Sequence, residues 1–298
     1  MSKEINSDRQ GNPLDFEMLK TCKKGAVLFV EIDSPPMNLL GPELVRDLVS
    51  LFQTAEADNA IQVLVFKSAD PDYFISHVDV TRIKENRDEV LKLNGEASIG
   101  LLFYYLSKSR LVTIAQIEGR VRGVGSEFVL ACDMRFAAIE SAIFSQFEAS
   151  FGVIPGAGGA QHLARLLGRA RALEVMLSAE DYSADLAERY GWINRALPAA
   201  ELEDFVSSLA HRIANFPAVG RVVVKERVNA IGLPSAEDIR RDSRLFIEGT
   251  ASLDFQEMMQ AAMESGFQTR EAELDLARML GDLAESISLR KNQEHSQV

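Results

Sequence analysis

Two glycine-dense turns, each with a glutamate close by, bound what this chain can fold into. The first runs Glu118-Gly119-Arg120-Val121-Arg122-Gly123-Val124-Gly125-Ser126-Glu127. The second spans Gln146-Phe147-Glu148 and continues through Ile154-Pro155-Gly156-Ala157-Gly158-Gly159. Glycine lets the backbone approach a neighbouring segment or ligand closely and adopt dihedrals that other residues avoid. Apolar, strand-like or helix-like segments join the two turns. We read the two carboxylates as acting together at a site built from backbone N–H groups, and the rest of the chain is read for whether it can present such a site.

Along the sequence, residues 1–15 are polar, with a break at Gly11-Asn12-Pro13, and are expected to be a disordered lead-in. Residues 26–32 and 61–66 carry the β-branched and aromatic content of strands, and residues 111–117 and 134–139 read as a third and fourth. Between the first two, Pro42 opens a helix whose Leu44, Val45, Leu48, Leu51, Phe52 and Ala55 recur at the helical period. Residues 81–109 are expected to be helical, and residues 126–132 form a short buried helix behind the first glycine turn. Strand, strand, helix therefore recurs in place of strict strand–helix alternation. After Gly159 the pattern becomes helical, with residues 192–196 the one further strand. The expected organisation is an α/β core over 16–200, a helical region over 201–285 and a frayed tail over 286–298.

Composition narrows function. A chain of 298 residues with 47% hydrophobic and 26% charged residues can build a sizeable core. A net charge of −12 argues against a general nucleic-acid binder and against attraction to anionic membranes. The two cysteines, Cys22 and Cys132, and four histidines have no metal-ligand spacing, so neither a metal site nor a disulfide framework is expected. The polar N-terminus and the lack of long apolar runs make a cytoplasmic setting the default expectation.

The glycine turns fit neither of two familiar phosphate cradles. Gly119-x-x-x-Gly123-x-Gly125 lacks the spacing and acidic partner of a dinucleotide fingerprint, and no Gly-Lys-Ser/Thr follows. Ser126 has no nucleophile elbow around it. A tight strand-to-helix turn remains the structural alternative; the functional one is that Val124 precedes a helix whose free N–H groups stabilise developing negative charge. Glu127 and Glu148 both sit among apolar neighbours, where glutamate is uncommon without a partner or a purpose. Paired buried acids suit general acid–base work, since burial moves a carboxyl pKa toward neutrality. A lone histidine in a turn, His77, is more often neither base nor ligand, and Asp79 suits an N-cap. Arg82, Lys84 and Arg87 are either a solvated helix face or a phosphate contact.

Taken in order, these segments resemble the crotonase superfamily, the enoyl-CoA hydratase/isomerase group. Residues 32–40 (Ile-Asp-Ser-Pro-Pro-Met-Asn-Leu-Leu) are similar to its strand-end segment, and Phe74-Ile75-Ser76-His77-Val78-Asp79 falls where members have Phe-x-Ala-Gly-Ala-Asp. Glu118 through Glu127, followed by Ala131-Cys132-Asp133, resembles Asn-Gly…Gly-Gly-Gly-x-Glu, and residues 146–159 resemble Gln-Pro-Glu and Gly-x-x-Pro-Gly-x-Gly-Gly. The resemblance spans about residues 20–215. It implies a crotonase-like spiral of ββα repeats followed by a helical C-terminal trimerisation region, a homotrimer or homohexamer, and an acyl-CoA thioester substrate. No cofactor is implied, coenzyme A being part of the substrate, and no metal.

By the same resemblance, the backbone N–H groups of Val78 and Val124 form an oxyanion hole, and Glu127 and Glu148 match the two acids of the hydratases. Ser76, His77, Gly123, Pro155 and Gly156 fall at substrate-binding positions. Two departures stand out: Ser76-His77-Val78 replaces Ala-Gly-Ala, and Val124 replaces a glycine. A backbone N–H survives both changes, while the added side chains reshape the thioester pocket. The implied activity is reversible syn hydration of a 2-enoyl-CoA. The alternatives are an isomerase or hydratase-lyase of the same group, or a non-catalytic acyl-CoA-binding subunit suggested by the crowded 76–78 turn. A role in RNA binding is disfavoured, because the helix at 42–57 carries acids and one basic residue, Arg46.

Overall fold

The computed structural model describes residues 16–295; the lead-in expected over 1–15 and the last three residues lie outside the described residues. In chain order come β1 (Leu19–Lys24), β2 (Val27–Ile32), α1 (Pro42–Ala57), β3 (Val63–Ser68), β4 (Tyr73–Ile75), α2 (Ile83–Asn94) and α3 (Ile99–Lys108). Next are β5 (Val112–Ile117), β6 (Arg120–Arg122), α4 (Val124–Ala131), β7 (Met134–Ala138), β8 (Ile143–Ser145), α5 (Gly159–Leu167) and α6 (Arg169–Ser178). Then β9 (Tyr182–Ser183), α7 (Ala184–Tyr190) and β10 (Arg195–Leu197) close the α/β part. The helices α8 (Ala199–Ala214), α9 (Ala218–Gly232), α10 (Ala236–Gly249), α11 (Leu253–Glu264), α12 (Arg270–Glu273) and α13 (Leu276–His295) follow.

Three successive pairs, β3 and β4, β5 and β6, β7 and β8, each send one strand to a large sheet and the next to a small one, while β1 and β2 both join the large sheet. The large sheet has the order β1-β2-β3-β5-β7-β10 and the small one β4-β6-β8-β9. Within them, β1 pairs with β2 and β8 with β9 antiparallel, and the other pairings are parallel. The corner between the sheets is tight. A Cβ on Gly119 would lie 2.4 Å from the Asp72 carbonyl carbon, so only glycine lets the β5–β6 corner sit on the β3–β4 corner.

The large sheet is covered on both faces, which explains why β3 is buried along Val63–Phe66 and not in alternation. Leu64 and Phe66 face the main core with Leu44, Leu48, Phe103 and Phe128. Val63 and Val65 face the other side, where Leu202, Val206 and Ala210 of α8 form a stripe at four-residue spacing. Burying Leu202 or Val206 there contributes about 1.5–3 kcal/mol each. The C-terminal helices then fold back over the second glutamate turn. Met258, Ala262, Phe267, Leu276 and Leu280 pack with Phe147, Phe151 and Val153.

Three local expectations are corrected. The helix expected over 81–109 is two helices, because Gly95 takes a left-handed φ of 77° that ends α2, and the Ser98 hydroxyl accepts from Leu101 N to start α3. The stretch from 286 expected to fray continues α13 as far as His295. Strands β1, β4, β6, β8 and β9 are additional: β1 is an edge strand rich in lysine, and the other four have two or three residues each.

Candidate active site

The first N–H donor comes from the end of β4. Val78 forms an isolated parallel bridge with Leu40, in which Leu40 N donates to His77 O (2.8 Å) and Asp79 N donates to Leu40 O (3.1 Å). Groups on either side of a bridged residue point to its partner, so the N–H of Val78 itself points away from Leu40. It has no hydrogen-bond acceptor among the described residues, and Val78 lines a cavity. The second donor comes from the start of α4. Gly123 has φ 50° and ψ −123°, outside the ordinary range of side-chain-bearing residues, and turns the chain so that Val124 is the first helical residue. A first-turn N–H has no partner within its helix.

Gly125 brings the two together. A Cβ at that position would sit 2.1 Å from the carbonyl oxygen of Ile75, so the helix start presses directly on the end of β4. Val78 and Val124 consequently line the same cavity of about 460 Å³, within the size range of small-ligand sites.

Both glutamates face it. Glu127, the fourth residue of α4, is 2% exposed. Its Oε1 accepts from Ala157 N at 2.7 Å and Gly159 N at 2.8 Å, which ties the first turn to the second. Its Oε2 takes no donor from the described residues. Glu148 stands beside Gly123, where an added Cβ would come within 3.2 Å of its Oε1. Gln146 Nε2 donates to both of its carboxylate oxygens, at 2.9 and 3.0 Å. Burial pushes the Glu148 carboxyl up to about 7, against the pull of a backbone N–H, of Gln146 and of nearby His77. Burial, and then the charge of Glu148, hold Glu127 well above the usual carboxylate range despite its two backbone donors. Two carboxyls so coupled retain a proton between them near neutrality.

The expected substrate-binding positions divide. His77, Gly123 and Gly156 line the cavity; Ser76 and Pro155 do not. Ser76 is fully buried with its hydroxyl donating to Met37 O, so it braces the β4 end from behind. Pro155 packs in its own turn, 2.9 Å from where a Gly159 Cβ would stand. Asp79 is an N-cap as expected, its Oδ1 accepting from Thr81 N. Of the basic cluster, Arg82 is engaged by Glu43 and Glu85, and Arg87 is an exposed residue of the cavity lining.

The inner wall holds residues that motif reading missed. Phe147, Phe151, Val153, Phe255, Met259 and Phe267 give it an aromatic and apolar lining, and α10 adds Arg240, Ser243, Arg244 and Phe246. His77 is 1% exposed and bonded through Nε2 to Glu273 Oε1 at 2.6 Å. No motif links positions separated by 196 residues; the signal available was the histidine itself, standing where the resemblance calls for glycine.

Residues 22–269 match the family profile described as enoyl-CoA hydratase/isomerase. A Dictyostelium discoideum protein named Probable enoyl-CoA hydratase, mitochondrial, is 30% identical over 246 residues, covering 82% of this chain and 87% of the relative. The Short-chain-enoyl-CoA hydratase of Clostridium acetobutylicum is 28% identical over 260 residues, 83% of this chain and 97% of the relative. Among solved structures, a Streptomyces avermitilis protein provisionally named an enoyl-CoA hydratase is 48% identical. It superimposes with a TM-score of 0.88 over 90% of this chain and 98% of its own.

Proposed function

Because the chain belongs to the enoyl-CoA hydratase/isomerase family, we propose that it is an enoyl-CoA hydratase, adding water reversibly across the double bond of a 2-enoyl-CoA thioester. The observation that carries this reading is the pair of buried glutamates on one cavity with two backbone N–H groups that have no acceptor among the described residues. The N–H groups of Val78 and Val124 receive the thioester oxygen. Drawing negative charge onto that oxygen makes the β-carbon electrophilic and stabilises the enolate-like state that follows. Water is held between the carboxyls. Glu127 is anchored through Oε1, where two backbone donors partly offset the burial that opposes its anion; with the shared proton on Glu148, its free Oε2 takes the proton from water as the oxygen bonds to the β-carbon. Glu148 gives its proton to the α-carbon as the carbonyl re-forms. The reaction as written uses side chains and backbone alone.

Two further parts of the proposal rest on the surface. Arg87 and Arg244 stand on the exposed side of the cavity and suit the anionic end of coenzyme A. Helix α9 has no buried residue and presents Val219, Val224, Val228 and Ile231 to solvent, each at least 60% exposed. An apolar face of that kind marks an interaction surface, and we assign it to self-association as a homotrimer or a pair of trimers.

Loss of conjugated-thioester absorbance, followed over a panel of short, medium and aromatic 2-enoyl-CoA thioesters, tests the activity. A fall that goes with a hydroxyacyl product supports hydration. No water uptake with any member of the panel overturns it.

A further inference from the structure

His77 of the cavity wall is paired with a glutamate buried behind it, and the hydration chemistry uses neither side chain. His77 lies immediately before Val78, and both its ring nitrogens are engaged. Nδ1 is 2.7 Å from the carbonyl oxygen of Val78, and Nε2 is 2.6 Å from Oε1 of Glu273, a residue with 0% exposure. A carbonyl oxygen can only accept, so Nδ1 carries a hydrogen there. The short contact to Glu273 requires one more proton between Nε2 and the carboxyl oxygen, so the two side chains together bear no net charge. The ring is also clamped by its faces: Phe267 stacks on it at 4.5 Å with planes 6° apart, and Phe147 meets it edge-on at 5.7 Å.

The C-terminal partner is itself fixed. Glu273 Oε1 also accepts from Gln268 N at 2.8 Å, and the Glu273 backbone oxygen accepts from the fully buried Arg122 at 2.6 Å. Gln268 reaches the same turn from the other end: its Oε1 accepts from Val80 N at 2.7 Å and its Nε2 donates to Asp79 Oδ1 at 3.2 Å. Residues 77–80 are therefore held on one side by Leu40 and on another by the segment 267–273. The Val78 N–H is left facing the cavity.

We propose that His77 and Glu273 are positioning residues, the buried bond between them locking the C-terminal segment onto the turn that carries the Val78 N–H and so fixing that donor against the acyl wall formed by Phe147 and Phe267. The assignment rests on the reading of Val78 as an oxyanion donor. Its consequence is that the folded-back C-terminal segment is part of the catalytic geometry and not merely a cover. Loosening the bond misplaces one of two donors, and a misplacement of about 1 Å costs on the order of a hundredfold in rate.

The test uses the full chain, the best 2-enoyl-CoA of the panel, and imidazole nitrogen NMR. In Glu273→Gln the amide oxygen can accept both the Gln268 and His77 N–H bonds but cannot balance the ring. The expected result is a fall in kcat of tenfold or more at a KM changed far less. The expected spectrum shows bonded hydrogens at both ring positions in the wild type and an altered Nε2 signal in the variant. The double variant His77→Phe/Glu273→Leu substitutes apolar groups for the pair, a change that buried ion pairs often tolerate in stability. It is expected to fold and to lose no more kcat than the worse of His77→Phe and Glu273→Leu made singly. A bare ring nitrogen in the wild type, wild-type kcat in Glu273→Gln, or additive losses in the double variant would each overturn the proposal. If the wild type turns over no thioester, the hydratase reading fails separately, and a bare ring nitrogen still overturns the pairing.

Discussion

Replacing Glu148 by glutamine keeps the shape of the side chain and removes its titration, so the cost of the buried carboxylate becomes measurable as stability. Its proton is held up to about 7 in the folded chain, against an ordinary value of 4.5. The folded state thus binds that proton more tightly than the unfolded state does. The penalty for ionising it is absent below the unfolded pKa, grows as pH rises between the two values, and is complete above the folded one. At about 1.4 kcal/mol per pH unit, the wild type loses roughly 3 kcal/mol across that window. Glutamine avoids this loss, but its amide N–H₂ then faces Gln146 Nε2, which now donates to both carboxylate oxygens. Losing one of those bonds costs about 1 kcal/mol. Glu148→Gln should therefore be slightly less stable than the wild type near pH 5 and more stable by roughly 2 kcal/mol near pH 8.5. In a chain of this length that corresponds to a Tm higher by about 4 °C at the upper pH. Thermal unfolding of both proteins at matched subunit concentration and both pH values is the assay. A Tm difference that does not change sign between them would refute the assignment of Glu148 as a buried acid with a raised pKa.

Other consequences follow from the same packing. Gly125→Ala places a methyl against the Ile75 carbonyl and forces α4 away from β4. It should destabilise by about 3 kcal/mol and lower kcat on the order of a hundredfold, read by denaturant unfolding and steady-state kinetics. Asn38 is buried at φ 53°, accepts from Ser34 N, and donates to Ser68 Oγ and to the carbonyls of Tyr73 and Phe74 just ahead of the oxyanion turn. Asn38→Ala should cost about 3 kcal/mol, visible as an earlier urea midpoint with unchanged m-value. Val224→Asp/Val228→Asp puts two charges on the exposed apolar face of α9 and should yield monomers in light scattering with the helical signal retained.

What the sequence made legible, and what it concealed, divides along contact distance. Glu127, Gly123, Val124 and Glu148 stand in two short motifs, so the core of the site could be read locally, whereas the contact of Gly125 with the Ile75 carbonyl on β4 could not. The ββα recurrence was visible because β3, β5 and β7 are buried on both faces and read as predominantly apolar runs. By contrast, β6 and β8 have three residues each, too few for a periodic signal. Gly95 and the Ser98 cap broke the expected long helix through local capping, which the apolar periodicity of the stretch does not register. Ser76 and Pro155 were placed in the site by their neighbours in sequence, while their side chains serve the turns from behind. Residues 81–110 and 255–270 were the expected source of the pocket lining, and Phe255, Met259 and Phe267 do line it. Which side chains face the cavity, and the pairing of Glu273 with His77, take their meaning only from packing.

Turnover in heavy-oxygen water, comparing the wild type with Glu127→Gln, tests the central claim most directly. The account predicts that the wild type converts a 2-enoyl-CoA to a product heavier by one water, with the label on the β-carbon hydroxyl. It predicts that Glu127→Gln, still folded, forms that product slower by a factor on the order of a hundred to ten thousand. A product of unchanged mass with a shifted double bond, or a Glu127→Gln variant that incorporates the label at the wild-type rate, would contradict it.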